Sequence, residues 1–220
     1  MQAFLRDSAE FLPILLQGVG LTVAVTLGAL VLSTMLGLVW VLLRVSGVPA
    51  LAAASRWAIN VIRGIPIIVQ LFYIYFVLPD FGLALSALAA AIIGLGIAYS
   101  AYQAENFRAA IEAIEHGQIE AAQSIGMGWA LTMRRVVLPQ ALRVALPPYG
   151  NVMIMLLKDS SQASTITVAE LALQGKLIAS STFKNTTVYT LVALLYLCMS
   201  LPLILLVGRL ERRLGRRRAA

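Results

Sequence analysis

Two short stretches hold most of the residues that could do chemistry. The first is Lys158-Asp159-Ser160-Ser161-Gln162, where an ionisable pair, two hydroxyls and an amide follow directly on an apolar run. A charge left facing lipid at membrane depth costs roughly 2.5–3.5 kcal/mol, so this pair must face a cavity, water or one another. Asp159 adds to the partial negative charge of the preceding helix's last carbonyls and makes a patch suited to an ammonium group. Ser160, Ser161 and Gln162 would supply hydrogen bonds beside it. The competing account is a snorkelling Lys158 paired with its neighbour at an outer interface. The second stretch is Arg63-Gly64-Ile65-Pro66, which breaks another apolar run. Irregular backbone at membrane depth survives only against protein or beside a cavity, and in transporters such breaks mark substrate contacts; an interfacial kink would explain it equally.

Other chemistries find little support. The single histidine, His116, lies in a charged segment beside Glu115, and the single cysteine, Cys198, lies in an apolar run where burial is expected. No disulfide, no multi-cysteine metal site and no intramembrane Ser-His-Asp arrangement can be assembled from them. No Gly-x-x-x-x-Gly-Lys-Ser/Thr phosphate loop occurs, so this chain binds no ATP by that device.

The elements that must hold these residues are membrane helices. Of the 220 residues 60% are hydrophobic and 12% charged, with a mean hydropathy of +0.87, too apolar for a water-soluble surface. Crossing ~30 Å of hydrocarbon takes about 20 apolar residues. Stretches at about 12–43, 83–104, 142–157 and 188–208 qualify, the first as a retained span without a cleavage signal. A fifth, about 57–78, contains the Arg63 to Pro66 break. From Ile65 onward it offers only about 21 Å of helix, so it is expected to begin near Trp57, with Arg63 at the interface or facing protein. Ala29, Ser33 and Gly37 recur every four residues, the spacing that lets membrane helices approach closely.

Five spans put the termini on opposite sides. Thirteen of the seventeen basic residues then share one side, including the six arginines of the tail, while all three lysines fall on the other. Because Lys and Arg collect on cytoplasmic flanks, the C-terminus is expected inside and the N-terminus in the periplasm. The net charge of +7 then meets anionic lipid, and no nucleic-acid partner is needed to explain it.

The longest inward excursion is about 105–140. Glu105, Arg108 and Glu112 stand at i, i+3 and i+7, fit to pair along one face of a helix leaving the third span. Gln118 to Ile125 is helical in composition, Gly126 can end it with a positive φ, and Trp129 to Val137 can form a second short helix that Pro139 terminates. Ala121, Ala122, Ile125, Met127 and Trp129 leave a small apolar surface. It could lie flat on the membrane or dock a partner.

Glu120-Ala121-Ala122, then Gly126, then Val136-x-Leu138-Pro139, resembles the EAA loop of the membrane subunits of bacterial ABC importers. The flanks RGIPIIVQLFYIYFVLP, AYQAENFRAAIEAI, GQIEAAQSIGM, VVLPQALRVALPPYGN and LLKDSSQAS are similar to the permeases for polar amino acids, so the likeness covers most of residues 60–170. Val136, Ile65 and Glu115-His116 depart from the usual pattern; Glu120 and Gly126 keep it. The resemblance implies an all-α membrane protein, one transmembrane domain over residues 1–220 with about five spans, whose coupling loop lies between the third and fourth. It implies an inner-membrane dimer of identical or homologous permeases, a pair of cytoplasmic ATPases that carry ATP and Mg, and an extracytoplasmic binding protein delivering a polar amino acid. By the same likeness Glu120, Ala121, Ala122, Gly126 and Pro139 belong to the coupling element, and the segment at Asp159 lies along the translocation path. Arg63, Gly64 and Pro66 are the further path candidates. The alternative from another class is an ion-driven secondary transporter using Asp159.

Overall fold

The structure, a computed structural model of the chain, describes residues 2–216, and these are helical nearly throughout. Helix α1 (Gln2–Arg44) runs the length of the bundle and is followed by α2 (Pro49–Gly64) and α3 (Ile67–Phe72). A π turn (Tyr73–Val77) and a 3-10 turn (Leu78–Phe81) prolong α3. Helix α4 (Ala87–Glu112) leads to the short α5 (His116–Ser124) and α6 (Trp129–Thr132). A second π turn (Met133–Val137) runs into α7 (Leu138–Asp159), a 3-10 turn (Ser160–Ile166), α8 (Leu171–Thr182) and α9 (Asn185–Arg216).

Small residues set the packing. A Cβ on Gly28 would meet Ile92, one on Gly96 would meet Leu32, and one on Gly37 would come within 2.8 Å of Gln103 Cβ and 3.2 Å of the α4 backbone. Positions 28, 32 and 37 therefore climb α1 as 92, 96 and 103 climb α4, so the two helices lie parallel and in close contact. Ala29 and Ser33 are fully buried, as the four-residue spacing predicts. Replacing Gly37 by valine forces two backbones apart. With overpacking at about 1–3 kcal/mol, the melting temperature of the purified protein should drop by about 2–12 °C. An unchanged melt would contradict this packing.

Ion pairs fix the ends of the bundle. Lys184 at the start of α9 bonds Asp7 of α1 at 2.6 Å, and Arg44 at the end of α1 bonds Glu105 of α4 at 2.6 Å. Arg108 joins the expected ladder, 2.7 Å from Glu105 and in contact with Glu112. Among the described residues three helices, Phe4–Arg44, Ala87–Glu112 and Asn185–Leu214, are long and apolar enough to cross a membrane by themselves.

Three expectations need correcting. The second span does not begin near Trp57 and run through the break, because α2 and the helix beyond it meet at 97°. Ile65 and Pro66 are extended (ψ 130° and 139°), and Pro66 has no N–H to continue α2. The freed carbonyls of Ile62 and Ile65 both accept from Gln70 Nε2, at 2.8 and 2.9 Å, so one side chain holds the bend. Pro139 does not end a helix either. It stands in the first turn of α7, where a missing N–H is tolerated, and the π turn just before it keeps the chain helical. Cys198 is exposed on the outer face of α9. Helix α8 is an element that the apolar pattern did not announce.

Candidate functional site

The charged segment at one end of the bundle has a built turn at its centre. Helix α5 closes with Gly126 at φ +83°, whose N–H bonds Gln123 O at 2.9 Å while Met127 N–H bonds Ala122 O at 3.1 Å. That pair of bonds is a Schellman closure, and it needs the left-handed residue that glycine supplies. Ala122 is buried at 5% exposure, whereas Glu120 and Ala121 face outward. Gln140 of α7 donates to Gln118 Oε1 of α5 at 2.6 Å, so α5 is tied to the start of α7. Ile125 just before the turn (79%) and Trp129 beyond it (65%) remain exposed. The result is a hydrogen-bonded, partly apolar knob with an acidic residue on it.

In the bundle interior the chain between α7 and α8 is irregular. Asp159 Oδ2 accepts a hydrogen bond from Tyr99 OH of α4 at 2.6 Å. Tyr99 is itself buried, and its ring lies 5.7 Å from that of Tyr102. Over Tyr102 sits the guanidinium of Arg63, 5.5 Å from the ring centre. A chain of contacts thus runs from Arg63 through two tyrosines to Asp159, joining two stretches separated by almost a hundred residues. Gly64 has open space where a Cβ would go, and Pro66 is exposed.

The rest of the segment divides by exposure. Ser160 is fully buried, and its hydroxyl is committed to Leu157 O at 2.8 Å. Ser161 donates to Lys158 O at 2.7 Å and stays partly accessible, as does Gln162. Lys158 is exposed and makes no ion pair with Asp159 among the described residues. Thr167 takes a positive φ of 68° and lies 3.2 Å from Tyr75 OH. Among the described residues no group of three His, Cys, Asp or Glu could hold a metal ion. Sequence reasoning missed Tyr75, Tyr99 and Tyr102 because aromatic residues in apolar runs read as core. Tyr75 and Tyr99 are marked only by a hydroxyl that needs a partner where it is covered, and Tyr102, at 36% exposure, engages through its ring.

Long apolar helices, a bundle interior holding a carboxylate hydrogen-bonded to Tyr99, and an exposed, partly apolar knob at one end fit a membrane transport subunit. The profile of the family described as binding-protein-dependent transport system inner membrane component matches residues 29–217, and the chain belongs to that family. It is 41% identical over 187 residues to the probable amino-acid ABC transporter permease protein YckA of Bacillus subtilis, covering 85% of this chain and 83% of that one. To the probable amino-acid ABC transporter permease protein PatM of Vibrio harveyi it is 42% identical over 190 residues, 85% of each. A solved structure described as an amino acid ABC transporter with histidines superposes with a TM-score of 0.89 at 37% identity, covering 94% of this chain and 97% of that one.

Proposed function

We propose that the chain is one half of the pore of an ATP-driven importer for a polar amino acid. The carrying observation is the knob built around Gly126, which projects from a bundle of the permease family and coincides with the EAA pattern. The relatives' names, which specify amino-acid permeases, support the cargo class. In this reading the loop about 105–140 is the coupling element of a single domain over 1–220. Glu120, Ala121, Ala122 and Gly126 meet a groove on a cytoplasmic ATPase, and Pro139 opens α7 behind them. ATP and Mg reside on that ATPase dimer. A second permease, identical or homologous, completes the pore, and an extracytoplasmic binding protein loads it.

Five crossings follow if α7 and the helix from Ile67 to Phe81 pass through the membrane beside α1, α4 and α9. At about 22 Å the second of these falls short of the ~30 Å core, so the partner or the bent α2 must complete that crossing. The C-terminus is then cytoplasmic and the N-terminus periplasmic. An alkaline phosphatase fused after Ala220 should be inactive, since it folds only outside; full activity would overturn this orientation.

Substrate enters the path beside Asp159, Ser161 and Gln162, with Ser160 behind them and Arg63, Gly64 and Pro66 at the far end of the tyrosine chain. The assignment is tested by co-expressing the permease with its ATPase and purifying by a tag on this chain. The ATPase should co-purify, and hydrolysis should rise when binding protein loaded with L-glutamine, L-cystine or L-arginine is added. Failure of any ATPase to accompany the chain would remove the reading.

A further inference from the structure

The segment 159–170 is held at both ends by carboxylates, Asp159 and Glu170. The second, Glu170, is fully buried. Its Oε1 accepts from Leu173 N–H at 2.9 Å, capping α8, while its Oε2 accepts from Tyr196 OH of α9 at 2.7 Å and lies 3.3 Å from Thr22 Oγ1 of α1. Thr22 Oγ1 in turn accepts from Leu171 N–H at 3.1 Å. The backbones are equally close, since a Cβ on Gly18 would stand 2.8 Å from Leu171 Cα.

A helix cap alone does not call for this residue. Serine and aspartate are the preferred caps, whereas the longer glutamate reaches past the cap to hydroxyls on two other helices. A buried ionisable group in a membrane bundle is costly and marks a functional position by default. Tyr99 at Asp159, Tyr75 at Thr167, and Thr22 and Tyr196 at Glu170 bring four hydroxyls from four separate elements onto one twelve-residue segment.

We propose that Glu170 is a positioning residue for transport: it fastens the far end of segment 159–170 to α1 and α9 and so sets where Asp159, Ser161 and Gln162 stand in the path. The inference rests on the reading of that segment as part of the path. Glu170 touches no substrate. It acts through the 3-10 turn and the short link to α8 that lie between the two carboxylates.

The test reads labelled amino acid imported per ATP hydrolysed. It uses proteoliposomes of the whole transporter at saturating loaded binding protein, with L-glutamine, L-cystine and L-arginine as probes. Glu170→Leu should lower that ratio about tenfold, within the usual scale of coupling between linked sites. Glu170→Gln, which keeps the shape, one oxygen to accept from Leu173 N–H and an amide that can donate to the Tyr196 and Thr22 hydroxyl oxygens, should stay within about twofold, and the two substitutions Asp159→Asn and Glu170→Leu should combine non-additively although the residues do not touch. Should Glu170→Leu fail to fold, Tyr196→Phe and Thr22→Val each remove one hydroxyl and should lower the ratio in the same direction. A purely structural role would lower protein yield and leave the ratio alone, and that result overturns the proposal. So does a Glu170→Gln variant as defective as Glu170→Leu. An effect at Asp159 without one at Glu170 or its two hydroxyl partners overturns this inference only, whereas an effect at Glu170 with none at Asp159 overturns the path reading on which it rests.

Discussion

Gly126→Val should cut ATP-driven uptake about tenfold or more while the protein still reaches the membrane at its normal level. The reason is local. Gly126 sits at φ +83°, a region where a β-branched residue is strained by about 1–3 kcal/mol, and two backbone hydrogen bonds close on it. Nothing lies within 4 Å of where its Cβ would go, so backbone strain and not a clash is what valine introduces. The strained chain relaxes by reopening the turn, which misaligns α5 against α6. Gly126→Asn provides the control, since asparagine tolerates the left-handed region and should restore much of the transport. Glu120→Lys, which reverses the exposed charge on the same knob, should weaken ATPase co-purification and leave the melting temperature in place. Normal uptake by both Gly126→Val and Glu120→Lys would return the knob to a hairpin lying on the membrane.

The second large effect is expected at Asp159. Asparagine there keeps the size and can still accept the Tyr99 hydroxyl bond of 2.6 Å, so the scaffold is preserved and only the charge is removed. One lost charge-assisted hydrogen bond is worth about 1.5–3 kcal/mol, or roughly ten- to hundredfold in transport of a substrate whose ammonium group pairs with it. Uptake per ATP is the decisive reading. It should fall while hydrolysis still responds to loaded binding protein. Unchanged uptake would leave Asp159 as an interfacial charge.

Interactions between residues near in sequence were legible in the sequence, and those between distant helices were not. The end of α5 was legible because one residue, Gly126, determines it by its own φ. The Glu105, Arg108 and Glu112 ladder was legible because helical spacing brings the three together. The bend at Pro66 was visible as a break but not as a turn of 97°, since its direction depends on Gln70 reaching back to Ile62 and Ile65. Pro139 misled because the same residue type stops one helix and starts the next, and the preceding π turn that joins them has no sequence mark. Asp159 stood out beside an apolar run, but Tyr99, sixty residues away, did not. Glu170 was the least legible, for its partners Thr22 and Tyr196 lie on helices that spacing along one chain does not bring together.

The central claim, that this chain forms the pore of an ATP-driven amino-acid importer, is tested most directly by the energy source of uptake. Proteoliposomes of the complete transporter, with ATP and Mg trapped on the ATPase side and loaded binding protein outside, should accumulate labelled amino acid. Accumulation should persist after ionophores collapse proton and sodium gradients and stop when ATP is left out. Accumulation by this chain alone, without ATP and abolished by the ionophores, would contradict the account and make Asp159 the coupling group of a secondary transporter.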